Sequence, residues 1–148
     1  MKLSVELTQE KEFRIRSGKN VFVCQHVEDP EGRWRGLTPV EIFIAALGSS
    51  IASCALNYCE LQSLAAEGLA VGMEWEMEPT ERRIEKITGS IHIPEAVTAA
   101  GREDEFMSAA HTSEIYHTLL VKPEMHFHPT HETEKPEGEA LLHFVGAE

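Results

Sequence analysis

The residues with the clearest chemical potential lie in one uncharged stretch, Ile42 to Cys59. Two serines stand side by side in it, Ser49 and Ser50, and Cys54 follows four residues after Ser50. On a helix this spacing places Ser50 and Cys54 on one face, one turn apart. A hydroxyl or thiol there is a candidate nucleophile. A free cysteine in an alanine-rich helix also behaves as a small buried hydrophobic residue, and that interpretation is the better one for each cysteine alone.

An acidic residue and two arginines flank the start of the same stretch. Glu41 follows Thr38 by three residues, a spacing typical of a capping box at a helix N-terminus. A glutamate fixed there would also orient an arginine from the preceding loop, Arg33 or Arg35. The structural and the functional roles are compatible, and both stay open.

Three histidines near the end of the sequence have spacing that could bind a metal ion. His126 and His128 would share one side of a strand, and His131 follows three residues later. No nearby cysteine or carboxylate spacing completes a recognisable site. We therefore favour an exposed strand that tolerates histidines, and we expect no metal and no other cofactor.

The elements that must position these residues follow from the apolar pattern, which alternates in strands and has a longer period in helices. In the first half of the chain the pattern predicts strands at Leu3–Leu7, Phe13–Ile15 and Val21–Cys24, then a helix from Pro39 to about Glu67 with Thr38 as its N-cap. In the second half it predicts strands at Val71–Met77 and Ile87–Ile93, helical segments at Glu95–Ala110 and Thr112–Leu120, and strands at Lys122–His128 and Ala140–Val145. Pro39 suits the first position of the long helix, and Gly68 suits its C-terminal cap. Gly101 is a weak point in the second helical region.

Length and composition indicate one domain, residues 1–148, in a reducing compartment. The net charge of −12 argues against nucleic-acid binding, which needs a basic surface. Three cysteines without CxxC spacing, Cys24, Cys54 and Cys59, do not form a disulfide framework. The first residues, MKLSVELTQEKEF, carry charges throughout, so we expect no signal peptide and a cytoplasmic protein.

The long helix is uncharged enough to raise the question of a membrane span. Its glycine, serines and asparagine dilute the apolar content, and its flanks show no basic bias. We therefore expect a buried helix and no membrane partner. At about 40 Å it would be too long for one small domain to cover, so we expect a second subunit to cover part of it.

Three segments together resemble the OsmC/Ohr family, which comprises osmotically induced protein C and the organic hydroperoxide resistance proteins. They are GLTPVEIFIAALGSS from Gly36 to Ser50, RRIEKITGSIHIP from Arg82 to Pro94, and SAAHTSEIYHTLLVKP from Ser108 to Pro123. The resemblance implies an α+β fold in which antiparallel sheets wrap long central helices in an intertwined homodimer. It also implies thiol-dependent reduction of organic hydroperoxides by two cysteines, with an arginine and a glutamate beside the first.

The sequence departs from this pattern at both cysteines. By resemblance the first position is Ser50 and the second is Ser113, while Glu41 matches the glutamate and Arg33 or Arg35 approximates the arginine. A serine hydroxyl is a far weaker nucleophile than a thiolate and forms no disulfide. The scaffold is therefore expected without the two sulfurs that the family chemistry uses.

Three functional hypotheses follow. In the first, the protein is non-catalytic and binds a small apolar ligand in a pocket between two subunits. In the second, it reduces organic hydroperoxides through the relocated thiol of Cys54, with Cys59 or Cys24 as a partner. In the third, it is a hydrolase that uses Ser50 with a histidine of the later helix, His111 or His117, although no triad pattern supports this.

Overall fold

The computed structural model describes residues 3–8, 12–25 and 36–129. These residues form an α+β arrangement of two antiparallel sheets and four helices. Of these residues, 3–8, 12–25, 36–39 and 125–129 belong to one compact unit, and Val40–Glu124 form a second unit.

The first unit contains a three-stranded meander. Its strands are β1 (Ser4–Leu7), β2 (Glu12–Ser17) and β3 (Asn20–Gln25), in that order in the sheet. Val5 pairs with Ile15, which pairs in turn with Phe22, so these apolar residues share one face. The predicted meander is confirmed, and alternation of apolar and polar residues is its cause.

The second unit begins with the long helix α1 (Pro39–Leu61). Pro39 occupies the first helical position, as predicted, directly after Thr38. The predicted C-terminus near Glu67 is wrong, because the helix ends six residues earlier. Ser63 adopts a left-handed conformation (φ 54°), and the Leu64 amide donates to the Cys59 carbonyl at 2.9 Å. This is a Schellman cap with a serine in place of the usual glycine.

A hairpin follows α1 and packs against it. Its strands are β4 (Ala70–Glu78) and β5 (Arg83–His92), both close to the sequence prediction. Gly48 of α1 is the point of close approach, since a Cβ there would lie 3.0 Å from Cγ of Met73. The missing side chain thus allows the helix and the strand to come together.

Three short helices complete the second unit: α2 (Glu95–Ala99), α3 (Glu103–Ala110) and α4 (Glu114–Leu120). Gly101 separates the first two in a left-handed conformation (φ 64°), which confirms the weak point read from the sequence. The buried core of this unit joins the second half of α1 to α2 and α3. Its members are Ala55, Tyr58, Cys59, Val97, Phe106 and Ala110.

The segment after α4 differs from the prediction. Lys122–His128 has no regular secondary structure and is exposed, with Phe127 at 87% exposure. A strand needs a neighbour to accept its backbone hydrogen bonds, and no described residue pairs with this segment. The predicted strand at Ala140–Val145 lies outside the described residues.

Helix α1 is long and apolar enough to cross a membrane by length and composition. Its most apolar 18-residue window has a mean hydropathy of 1.7, and 28% of that window is buried within the chain. Core helices of soluble proteins have the same length and composition. The described residues therefore leave part of α1 accessible.

Candidate functional site

Ser50 lies in the middle of α1 and is half-buried, whereas its neighbour Ser49 is exposed. The Ser49 hydroxyl donates to the Ala46 carbonyl at 3.1 Å, a bond within its own helix. Such a bond to a preceding carbonyl is common for a serine inside a helix. Ser50 instead interacts with another element of the second unit, so the two adjacent serines differ in role.

Ser113 is the partner of Ser50. It is the N-cap of α4, and its hydroxyl oxygen accepts the Tyr116 backbone amide at 3.1 Å. The same hydroxyl donates to Oγ of Ser50 at 2.9 Å. Ser113 is 0% exposed. Solvent therefore cannot reach the Ser113 end of this hydrogen bond between α1 and α4.

Cys54 lies one turn beyond Ser50 on α1 and is half-buried. Phe43, Leu47, Ser50 and Cys54 follow one another at separations of four, three and four residues. This spacing places them along one stripe of the helix. Phe43 is 38% exposed at the start of the stripe. The serine pair therefore borders an apolar strip with a thiol at its far end.

The other two thiols are placed differently. Cys59 is 0% exposed in the core of the second unit, and Cys24 is buried on β3 in the first unit. Burial raises the thiol pKa of Cys59 and of Cys24, because the thiolate loses its hydration. No disulfide joins these three cysteines, all of which lie within the described residues. The setting of Cys24 and Cys59 disfavours the thiolate that peroxide chemistry requires.

Of the charged residues expected at the site, the structure describes the glutamate but neither arginine. Glu41 lies in the first turn of α1 and is half-buried, as the helix start predicted. Arg33 and Arg35 lie outside the described residues. The pairing of Glu41 with an arginine stays a prediction.

The histidines near Ser113 do not form a hydrolytic pair with Ser50. Nε2 of His117 lies 3.2 Å from the His111 carbonyl, and the ring of His111 is tilted against that of Tyr116. The hydrogen bond that Ser50 makes is to Ser113. A general base must lie within hydrogen-bond reach of the hydroxyl it activates.

The histidines after α4 do not lie on a strand, which is the geometry that the possible metal site required. His126 and His128 lie in the exposed segment without strand pairing, and His131 is outside the described residues. Among residues 3–8, 12–25 and 36–129, no group of three or more histidine, cysteine or acidic side chains is placed to hold a metal ion.

Two contributions were missed by sequence reasoning. The Tyr116 amide fixes the Ser113 hydroxyl. A serine directly before a helix is the local signal for this N-cap, but the predicted helix began at Thr112 and so included Ser113. The Tyr58 hydroxyl donates to Glu105 at 2.8 Å and ties α1 to α3. Burial, together with this bond to Glu105, raises the pKa of Tyr58. Contacts between residues so distant in sequence have no local signal.

The fold is the one known from solved OsmC and Ohr proteins. An OsmC-like protein from Mycoplasma pneumoniae superposes with a TM-score of 0.65 at 15% identity, over 82% of this chain and 87% of that chain. The chain has an OsmC-like fold. The organic hydroperoxide resistance protein OsmC from Legionella pneumophila gives 0.55 at 13% identity, over 80% and 88% of the two chains. The Bacillus subtilis protein OhrB gives 0.53 at 11% identity, over 82% and 90%.

At these identities the likeness concerns the OsmC-like fold. The resemblance drawn from the three sequence segments is confirmed at that level. Neither a protein-family model nor a curated protein sequence matches the chain.

Proposed function

We propose that this is an OsmC-like protein of the hydroperoxide-resistance or stress-response type that has lost two-cysteine peroxide reduction. It binds a small apolar ligand in a pocket between two identical subunits in the cytoplasm. The observation that carries the proposal is the 2.9 Å hydrogen bond between Ser113 and Ser50. Two hydroxyls meet at the two positions where the resemblance expects thiols.

The hydroxyl pair cannot replace a thiol pair. Reduction of a hydroperoxide needs a thiolate that attacks the peroxide oxygen and becomes a sulfenic acid, which a second thiol then converts to a disulfide. A serine hydroxyl stays protonated at neutral pH and reaches no such oxidation state. Ser113 is also buried and caps α4, so its oxygen is already engaged. This arrangement supports a structural or binding role.

The surface of α1 supports an apolar ligand. Only 28% of its most apolar window is buried among the described residues. On the stripe, Phe43 is exposed and Cys54 is half-buried, whereas Leu47 is buried. Removing such surface from water is favourable by about 25 cal/mol per Å². A second subunit and an apolar ligand would each remove part of this α1 surface from water.

Cys54 supports the alternative function, a thiol-dependent organic hydroperoxide reductase. Its thiol is half-buried on the same stripe as Ser50, unlike the fully buried Cys59. In that case the Cys54 thiolate would attack the hydroperoxide, release the alcohol and become a sulfenic acid. An external dithiol would return it to the thiol.

One assay separates the two functions. We expect the purified protein with a dithiol reductant not to consume cumene or tert-butyl hydroperoxide above the rate of the reductant alone. The matched control is Cys54→Ser, which should give the same background rate. Turnover by the wild type that disappears in Cys54→Ser, and persists in Cys59→Ser, would overturn the non-catalytic proposal in favour of the reductase.

A further inference from the structure

The direction of the Ser113–Ser50 hydrogen bond follows from burial. The Tyr116 amide can only donate, so it takes one lone pair of the Ser113 oxygen. Ser113 is 0% exposed, and among the described residues its hydroxyl proton is given to Ser50. The reverse orientation would leave that proton buried without an acceptor, at a cost of about 1–3 kcal/mol. Ser113 is therefore the donor and Ser50 the acceptor.

The proton of the Ser50 hydroxyl is then left to donate elsewhere. A serine in a helix can donate to the carbonyl three or four residues earlier. The first of these, Leu47, receives no hydrogen bond from the Ser50 hydroxyl within the described part of the chain, and the second is Ala46. That carbonyl accepts the Ser50 backbone amide in the helix and the Ser49 hydroxyl at 3.1 Å, which occupies both of its lone pairs. Among the described residues, the one hydrogen bond of the Ser50 side chain is the one it accepts from Ser113.

We propose that the Ser50 hydroxyl is the donor that fixes the polar head of the bound ligand. The chain of bonds from the Tyr116 amide through Ser113 to Ser50 orients this donor. It also strengthens the donor, because linked hydrogen bonds polarise one another. This inference rests on the proposed function and adds the chemical class of the ligand: an apolar body with one hydrogen-bond-accepting head.

The head is neutral. A carboxylate taken out of water needs several donors or a cation, and a single hydroxyl would leave most of its lone pairs unsatisfied. The net charge of −12 adds long-range repulsion of anions. A ketone, ester, ether or alcohol oxygen needs one donor and carries no charge. The apolar body would lie against Phe43 or Cys54, the accessible members of the stripe on either side of Ser50, since Leu47 is buried.

Matched aromatic probes test the head. Acetophenone and ethylbenzene have nearly the same shape, but only acetophenone has an accepting oxygen, and benzoate carries a charged head. Their dissociation constants are measured by titration followed with backbone amide NMR. The quantity compared is the ratio of the ethylbenzene constant to the acetophenone constant. We expect Ser50→Ala to lower this ratio about two- to tenfold, the value of one neutral hydrogen bond.

Two variants control for folding and location. Ser49→Ala removes a hydroxyl one residue away that is already bonded within the helix, and it should leave the ratio unchanged. Ser50→Thr keeps the hydroxyl and should keep the ratio. The Tyr116 amide signal should move when acetophenone binds to the wild type, because that amide is the first donor of the chain.

The other outcomes separate the two proposals. If neither acetophenone nor ethylbenzene binds, the ligand-binding function itself fails. If both bind and Ser50→Ala leaves their ratio unchanged, ligand binding stands and Ser50 is not the donor. Benzoate binding more tightly than acetophenone, with the same dependence on Ser50, would overturn the neutral head.

Discussion

At the scale of single residues, Ser113 performs two tasks with one hydroxyl. Its oxygen caps α4 through the Tyr116 amide, and its proton joins α4 to α1 at Ser50. N-cap serines contribute about 1 kcal/mol to stability. The bond to Ser50 adds a contact between positions 63 apart in sequence. Serine suits this place because it offers an acceptor and a donor in a small buried volume.

Cysteines placed at the two serine positions should form a disulfide. The oxygens of Ser50 and Ser113 are 2.9 Å apart, and a disulfide needs its sulfurs about 2.0 Å apart on side chains that face each other. We expect Ser50→Cys/Ser113→Cys, made in a Cys54→Ser background, to form an intramolecular disulfide on mild oxidation. Intact mass and peptide mapping detect it.

The control for this crosslink is the neighbouring serine. Ser49 is exposed and bonded to its own helix, so Ser49→Cys/Ser113→Cys should give free thiols under the same oxidation. Crosslinking of the Ser49 pair in preference to the Ser50 pair would contradict the packing of α1 on α4.

At the scale of elements, regular patterns were predictable and their ends were not. Apolar alternation identified β4 and β5, and the Thr38-Pro39 signal fixed the start of α1. Leu64, Ala65 and Ala66 favour a helix by propensity, yet the helix ends before them. Leu64 and Ala66 instead pack on the core of the second unit. Tertiary burial thus outweighed local preference.

The candidate site shows the same division between local and distant information. The motif placed Ser50 and Ser113 as a related pair, but their contact depends on how α4 packs against α1. The N-cap role of Ser113 depends on where α4 begins, one residue after it. The failed strand at Lys122–His128 has a similar cause, because pairing needs a neighbour that the local pattern does not specify.

The cap of α1 gives a prediction at this scale. Ser63 holds a left-handed conformation (φ 54°), which a side chain with a Cβ disfavours and glycine tolerates. We expect Ser63→Gly to raise the free energy of unfolding by about 0.5–1 kcal/mol, after allowing for the entropy of glycine in the unfolded chain. Urea unfolding measures the change.

Ala65→Gly is the matched control for the cap. Ala65 is exposed and does not share the left-handed conformation of Ser63, so glycine there has only its entropic cost. This control should be neutral or slightly destabilised. A loss of stability in Ser63→Gly as large as that in Ala65→Gly would contradict the Schellman cap.

At the scale of the whole molecule, exposed apolar surface favours association between subunits and the net charge disfavours it. One face of the first sheet carries Val5 at 55% and Phe22 at 46% exposure, paired through Ile15. Among the described residues, 28% of the most apolar window of α1 is buried. An exposed apolar sheet face of this kind is typical of a protein interface. The net charge of −12 on each chain opposes association, so apolar burial has to exceed that repulsion.

We therefore predict a homodimer at micromolar concentration, measured by analytical ultracentrifugation, and tighter association at higher salt because screening reduces the repulsion.

Val5→Glu places a charge on the apolar face of the sheet and should weaken the dimer about tenfold or more. Ser4→Glu adds the same charge on the opposite face of the same strand, so it should change the dissociation constant far less. A wild-type monomer at this concentration would contradict the two-subunit arrangement, and equal effects of the two glutamates would show that the Val5 face is not the interface.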